Sequence, residues 1–401
     1  MIGRGSGEWR RVVLLLPTAT TIIGRLIQLA VLILVASTAT GAERGMLIAG
    51  IGLLGSFAIL TDSGAANFIL STAGDSLSRG EYIRVVAFHA GLATIGSAVA
   101  MSFVLVSTGP HATVRAIVLL GAVALSQIFD GTGRSVRAPL LVARRDGLFS
   151  IPDIVNFLAK APLVLGAVMT RDLSWLLGLP IASCIVTGGT FALVVRSIRG
   201  ASFSRNGLFR RVLEFGATGS LSALYSQAPL VIGSLVLPLN QVAALALVYR
   251  IVQPLEMVPG TVSQQLTPRI RSRPNGPGFY WASFACAGLL VSVLLLIGAP
   301  LIEKAVGGAL EPRLVFLIIV GSISIKWGNY ALVAFVMGIG LVRARFVLTL
   351  FVGMFAVTMS ALLAPIYGAP GLAAVTLVSE VALSAGFGLL FARMGTAGAS
   401  A

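Results

Sequence analysis

Apolar residues run through this chain in stretches of about 20, long enough to cross a bilayer as helix, and the stretches recur from end to end. Clusters of Gly, Pro and charge divide them. The runs predict helices near 12–37, 46–71, 82–107, 113–131, 149–169 and 173–195, then near 212–237, 241–267, 279–302, 313–338, 345–366 and 370–392. Their continuity excludes a transmembrane β-barrel, whose strands alternate apolar and polar. Several runs are well supplied with Gly, Ala, Ser and Thr, which let membrane helices approach closely. Nothing between them is long enough for a soluble domain.

Composition agrees with the pattern. Of 401 residues, 57% are hydrophobic and 11% charged, against about 25% charged in soluble domains. The formal net charge of +15 would suggest nucleic acid in a soluble protein, but its placement follows topology. One set of alternate connections holds Arg79 and Arg84; Arg134, Arg137, Arg144 and Arg145; Arg196, Arg199, Arg205, Arg210 and Arg211; Arg269, Arg271 and Arg273; Arg343 and Arg345. The other set is nearly neutral: Glu43 with Arg44, Arg115, Arg171 with Asp172, and Glu303, Lys304 and Glu311 with Arg313. Positive charge stays cytoplasmic, so twelve spans with both termini cytoplasmic is the expected topology. The chain is expected to bind no nucleic acid, because no basic footprint is left over.

The basic connection from Arg196 to Arg211 divides the chain evenly. We expect an N-terminal lobe over 1–200 with helices one to six and a C-terminal lobe over 201–401 with helices seven to twelve. Both halves repeat a coarse plan, with Asp62 and Glu256 at comparable depths and proline-opened sixth and twelfth spans. The expected fold is an all-α polytopic membrane protein, two six-helix lobes around a central cavity. Arg4, Arg10 and Arg11 precede an apolar run too long for a signal-peptide core, which predicts an uncleaved first span. Cys184 and Cys286 have no metal spacing and read as small buried hydrophobes.

A charged group at the centre of a span costs roughly 2.5–3.5 kcal/mol on insertion scales, so such residues are the candidates for function. Thr18, Thr21, Arg25 and Gln28 draw a polar stripe down the first helix, and Glu214, Thr218, Ser222 and Tyr225 do so in the seventh. These stripes suit the wall of a hydrated cavity. Arg250 lies mid-span in helix eight, with Lys160 in span five and Lys326 in span ten. Guanidinium groups bind phosphate through forked donors, so Arg25 and Arg250, with Lys160 and Lys326, are the candidate contacts for an anionic headgroup. Asp62, Glu256 and Glu380 are candidates for ion coupling. Asp130 and Asp153 fall near expected helix ends and read as solvated or capping groups. No metal cluster, phosphate-cradling loop or nucleophile–base set occurs, and the two histidines, His89 and His111, are not spaced as ligands. No cofactor, no metal and no enzymatic activity are expected.

The stretch Val248-Tyr249-Arg250-Ile251 followed by Pro254-Leu255, Pro259-Gly260 and Pro268 resembles the corresponding helix of bacterial polysaccharide flippases of the O-antigen type, within the multidrug/oligosaccharidyl-lipid/polysaccharide exporter (MOP) superfamily. Ala143-Arg144-Arg145, Arg343-Ala344-Arg345 and Tyr367-Gly368-Ala369-Pro370-Gly371-Leu372 with Glu380 resemble it too. The resemblance implies a twelve-helix transporter of the bacterial cytoplasmic membrane. It implies that undecaprenyl-diphosphate-linked oligosaccharide is carried from the inner to the outer leaflet, with Arg250 and Arg25 at the headgroup. Implied partners are the lipid-linked oligosaccharide, membrane lipids, H+ or Na+ as coupling ion and other polysaccharide-assembly proteins. An ion-coupled multidrug exporter of the same superfamily and a major-facilitator carrier remain alternatives.

Overall fold

The computed structural model describes residues 20, 23–24, 26–71, 77–109, 112–143, 145–198, 207–272, 276–306 and 313–399. Thr18, Thr21 and Arg25 lie outside the described residues, as do the side chains of Thr218 and Ser222. The chain packs as two compact units, Met1–Ser220 and Leu221–Ala401.

The first unit contains α1 (Leu26–Thr38), α2 (Gly41–Leu60), the short α3 (Ala65–Ser71), α4 (Arg79–Thr108), α5 (Val114–Val142), α6 (Asp146–Thr170) and α7 (Leu179–Ser197). A 3-10 turn, Leu173–Gly178, leads into α7. Helix α8 (Leu208–Val236) begins in this unit and ends in the second, which holds α9 (Leu239–Ser272), α10 (Pro277–Ala305), α11 (Arg313–Gly338) and α12 (Val342–Ala399). Helix α2 with α3 makes one broken span, Gly41–Leu70, and α12 makes two arms across a break at Gly368. Among the described residues nine helices are long and apolar enough to cross a membrane, Leu26–Thr38 and Ala223–Val236 are shorter apolar helices, and no strand forms. The protein is an all-α multi-pass membrane protein.

Three features depart from the sequence reading. Helix α5 does not stop near residue 131 but continues to Val142, which takes Arg134 and Arg137 out of the connection and into the helix. An apolar count ends a span where charge begins, whereas a backbone ladder continues as long as nothing breaks it. The connection expected between spans eleven and twelve contracts to a break at Gly368 between the two arms of α12. Gly368 takes φ +61, a left-handed conformation open to glycine without penalty, and Gln241 Oε1 accepts the Ala369 N–H at 3.0 Å. Finally, Cys184 and Cys286 are exposed, not buried. Both sit on outward faces of apolar spans, where a small thiol is as well placed as in a core.

Polar small residues knit the helices. In the first unit Ser126 Oγ meets Ser183 Oγ at 2.9 Å, Thr187 donates to the Phe129 carbonyl at 3.1 Å, and the buried Tyr82 hydroxyl donates to the Val136 carbonyl at 2.7 Å. In the second unit α10 and α11 meet through Ser292, which donates to the Val320 carbonyl at 2.8 Å, and Ser324, which donates to the Ala285 carbonyl at 2.8 Å. Gly288 and Gly328 sit against the indoles of Trp327 and Trp281 at the same seam. Without water to expel, such contacts and close packing are what associate helices in lipid.

Candidate functional site

Each unit buries a charged cluster built around a mid-helix lysine. In the first, Lys160 of α6 is 4% exposed, and its Nζ lies 2.9 and 2.6 Å from the two oxygens of Asp130 on α5. Asn156, one turn before Lys160, donates to the same Asp130 oxygen at 2.9 Å. Further along α5, Arg137 reaches Asp153 of α6, and the two form an ion pair with the guanidinium 4.6 Å from the centre of the Phe149 ring. Asp130 and Asp153 are therefore not solvated caps. They are the counter-charges of cations buried between α5 and α6, which corrects the expectation from sequence. Matching one acid to each base avoids the cost of an unpaired buried charge. Gln28, Gln127, Asp130 and Lys160 line a cavity of about 30 Å³ between α1, α2, α5, α6 and α7, room for about one water.

In the second unit the balance differs. Lys326 of α11 is 7% exposed, and its Nζ lies 2.6 Å from Glu256 Oε1 of α9 and 4.0 Å from Glu380 Oε1 on the second arm of α12. Glu380 is 1% exposed. Its Oε2 accepts from Asn329 Nδ2 at 2.8 Å, while its Oε1 has no hydrogen-bond donor among the described residues. Asn329 is held in turn by the Ser384 hydroxyl, which donates to Oδ1 at 2.5 Å. Tyr225, Tyr249 and Tyr330 lie within electrostatic reach of the cluster. The tyrosine of the seventh-helix polar stripe thus reaches the acids of helices eight and twelve. Glu214 of that stripe is exposed instead and pairs with Arg210 at 3.3 Å. Arg250 is 8% exposed and donates to Gln253, one turn further along α9.

The candidate residues therefore separate. Glu256, Lys326 and Glu380 come together, and Lys160 meets Asp130. Both lysines proposed as headgroup contacts are held by carboxylates of the chain. Asn156 and Asn329 are functional neighbours that the sequence reading does not single out. A usable signal exists: each stands one turn from an intramembrane lysine, at i−4 and i+3, the spacing of one helix face.

Asp62 occupies a different setting. It lies in the break between α2 and α3, where its Oδ1 accepts the Gly64 N–H at 3.0 Å. The neighbouring Ser63 Oγ meets His89 Nδ1 at 2.7 Å, with Asp62 Oδ1 4.0 Å from the same nitrogen. Gly64 takes φ +69, and a Cβ on it would meet the backbone of Phe215 and Gly216 in α8. A Cβ on Gly216 would in turn meet the backbone of Asp62 and Ser63. The Ser220 hydroxyl of α8 donates to the Asp62 carbonyl at 3.4 Å. The nearly neutral connections carry partly exposed ion pairs of their own. Arg115 lies 3.9 Å from Glu43 and 3.4 Å from Asp172, and Arg313 lies 3.1 Å from Glu303. Hydrogen bonds from Ser174 and the nearby Arg115 hold the Asp172 carboxyl below the usual range.

Solved structures share this fold. The lipid II flippase MurJ, in an inward closed conformation, matches with a TM-score of 0.71 over 94% of this chain and 87% of its own, at 11% identity. A multidrug resistance MATE family transporter of the MOP superfamily, inward-facing, gives 0.63 over 94% and 95% at 16% identity. The MATE multidrug transporter DinF-BH, solved as a complex, gives 0.65 over 97% and 96% at 15% identity. No protein-family model matches the chain, and no curated protein matches it.

Proposed function

We propose that this chain is a flippase that carries a lipid-linked oligosaccharide with an anionic diphosphate headgroup across the cytoplasmic membrane of a bacterium, both termini cytoplasmic, by alternating access. The supporting observation is the fold shared with the lipid II flippase over 94% of the chain. A diphosphate sugar headgroup cannot cross about 30 Å of hydrocarbon unaided. In this reading Arg25 and Arg250 are its guanidinium contacts, since a fork of donors matches phosphate. Lys160 and Lys326 are tied to Asp130 and Glu256, and in this reading they reach the headgroup by exchanging those carboxylates for phosphate. Gln28 and Tyr225 are wall residues, joined by Thr18, Thr21, Thr218 and Ser222, and Glu256, Glu380 and Asp62 serve ion coupling.

The test is deletion of the gene followed by lipid extraction. Undecaprenyl-linked oligosaccharide is expected to accumulate on the cytoplasmic leaflet, and a normal surface glycan would overturn the reading. Export of a cationic drug is the second reading. The excess of buried acid in the second unit favours it, and the MATE transporters share the fold. Reduced cellular accumulation of a cationic dye on expression of this chain, with the surface glycan of the deletion unchanged, would select it.

A further inference from the structure

The cluster in the second unit has two acids and one base. Among the described groups that act on Glu380, Lys326 is the one cation, with Glu256 as a second acid. With every group ionised the cluster carries one net negative charge, buried in a span, and such a charge is costly in a low dielectric. Something must offset it.

Geometry points to which. Lys326 is committed to Glu256 at 2.6 Å, and it stands 4.0 Å from the Glu380 Oε1 that lacks a donor. A metal ion placed on Glu380 would face this ammonium. It would also face the N–H side of Asn329, because Nδ2 points at Oε2 while Oδ1 is occupied by Ser384. Hard cations take oxygen ligands, and Asn329 offers its nitrogen. A proton needs only the vacant oxygen.

We propose that Glu256, Lys326 and Glu380 form an exchangeable proton site, with the proton carried on Glu380 Oε1. Water supplies and accepts the proton, and the bond formed or broken is the carboxyl O–H. Loss of the proton leaves two carboxylates competing for one ammonium. Lys326 Nζ is then drawn from Glu256 toward Glu380, which pulls α9, α11 and the second arm of α12 against one another. The titratable groups facing the site are Glu256 and Tyr249 from α9, Lys326 and Tyr330 from α11, and Tyr225 from α8, with Arg345 of α12 in reach of Tyr225. The site itself rests on charge count and geometry. Its use for coupling rests on the transport reading above.

The test is infrared difference spectroscopy of the whole protein in lipid nanodiscs, reading the C=O stretch of a protonated carboxyl. In wild type the band should be present at neutral pH, shift in deuterated water and fade as pH rises. E380Q should lose it. E256Q should lose it too, because one acid then matches one base. K326Q should enlarge it, because two acids are then left without a base. A fluorescence melting curve in sodium chloride should match that in choline chloride. No pH-dependent band in wild type, an E380Q spectrum identical to wild type, or a sodium-specific rise in melting temperature would overturn the proton site. The wild-type titration needs no variant to fold. If the band behaves as stated but lipid-linked oligosaccharide is not moved, the transport reading fails and the proton site stands; transport without the band gives the reverse.

Discussion

In the first unit Asp130 meets Lys160 and Asp153 meets Arg137, acid for base, between α5 and α6. In the second, Lys326 stands between Glu256 and Glu380. The chemical parts are alike, a lysine, an asparagine one turn away and carboxylates from neighbouring helices, yet the sums differ. A balanced set can remain buried through any motion that keeps its members together. An unbalanced one changes charge whenever its surroundings change, which suits it to work. The difference teaches that a buried charge is read by its count and not by its presence.

The comparison can be broken most forcefully by removing each lysine. Lys160→Met leaves the Asp130 carboxylate beside Asn156 without its ammonium, and losing one member of a buried pair costs about 3–5 kcal/mol. Adding Asp130→Asn should restore most of that loss, because no charge is then left uncompensated. For Lys326→Met the rescue by Glu256→Gln should depend on pH: most of the loss is recovered at neutral pH, where Glu380 carries its proton, and only part at high pH, where it does not. Thermal unfolding of the purified protein, single and double variants together, measures these couplings. Full rescue of Lys326→Met by Glu256→Gln at high pH, with no dependence on pH, would erase the distinction between the units.

A smaller effect sharpens the picture of the first unit away from its charges. Gly64→Ala should lower stability by about 1–2 kcal/mol from its left-handed backbone alone, and by more because the new Cβ meets the Gly216 backbone. Ala at Gly80, where a Cβ meets nothing, is the matched control. The smallest effect is expected at Asp172, which is half exposed beside Arg115. Asp172→Asn should leave the melting temperature unchanged in high salt, as exposed pairs contribute little. A large loss there would mean that surface pairs carry the stability assigned to the buried ones.

Much of the fold is legible in the sequence because hydrophobic length and charge alternation are properties of consecutive residues. The apolar runs predict the long helices that form, nine of them long and apolar enough to cross a membrane among the described residues, and the common side of the loops holding Glu43, Arg115 and Asp172 follows from their neutrality. The structure brings those three together. Pairing is not legible in the same way. Lys326 and Glu380 are both deep in spans, but whether their side chains meet depends on the rotation of α11 and α12 about their axes, which a single sequence does not record. For the same reason Asp130 resembles an end group: an apolar count stops α5 near residue 131, so its 3.6-residue phase is not followed to Arg137. The exposure of Cys184 and Cys286 escapes the sequence because in lipid an outward face is as apolar as a core, so apolarity no longer distinguishes inside from outside.

The measurement closest to the central claim is flipping in proteoliposomes that contain this protein alone. A fluorescent undecaprenyl-diphosphate oligosaccharide is placed in one leaflet, and its arrival in the other is followed with a membrane-impermeant quencher. The account predicts protein-dependent translocation that Arg250→Ala reduces at least tenfold, a loss of about 1.4 kcal/mol or more of headgroup interaction. Translocation no faster than in empty liposomes, or a rate unchanged by Arg250→Ala, would contradict it.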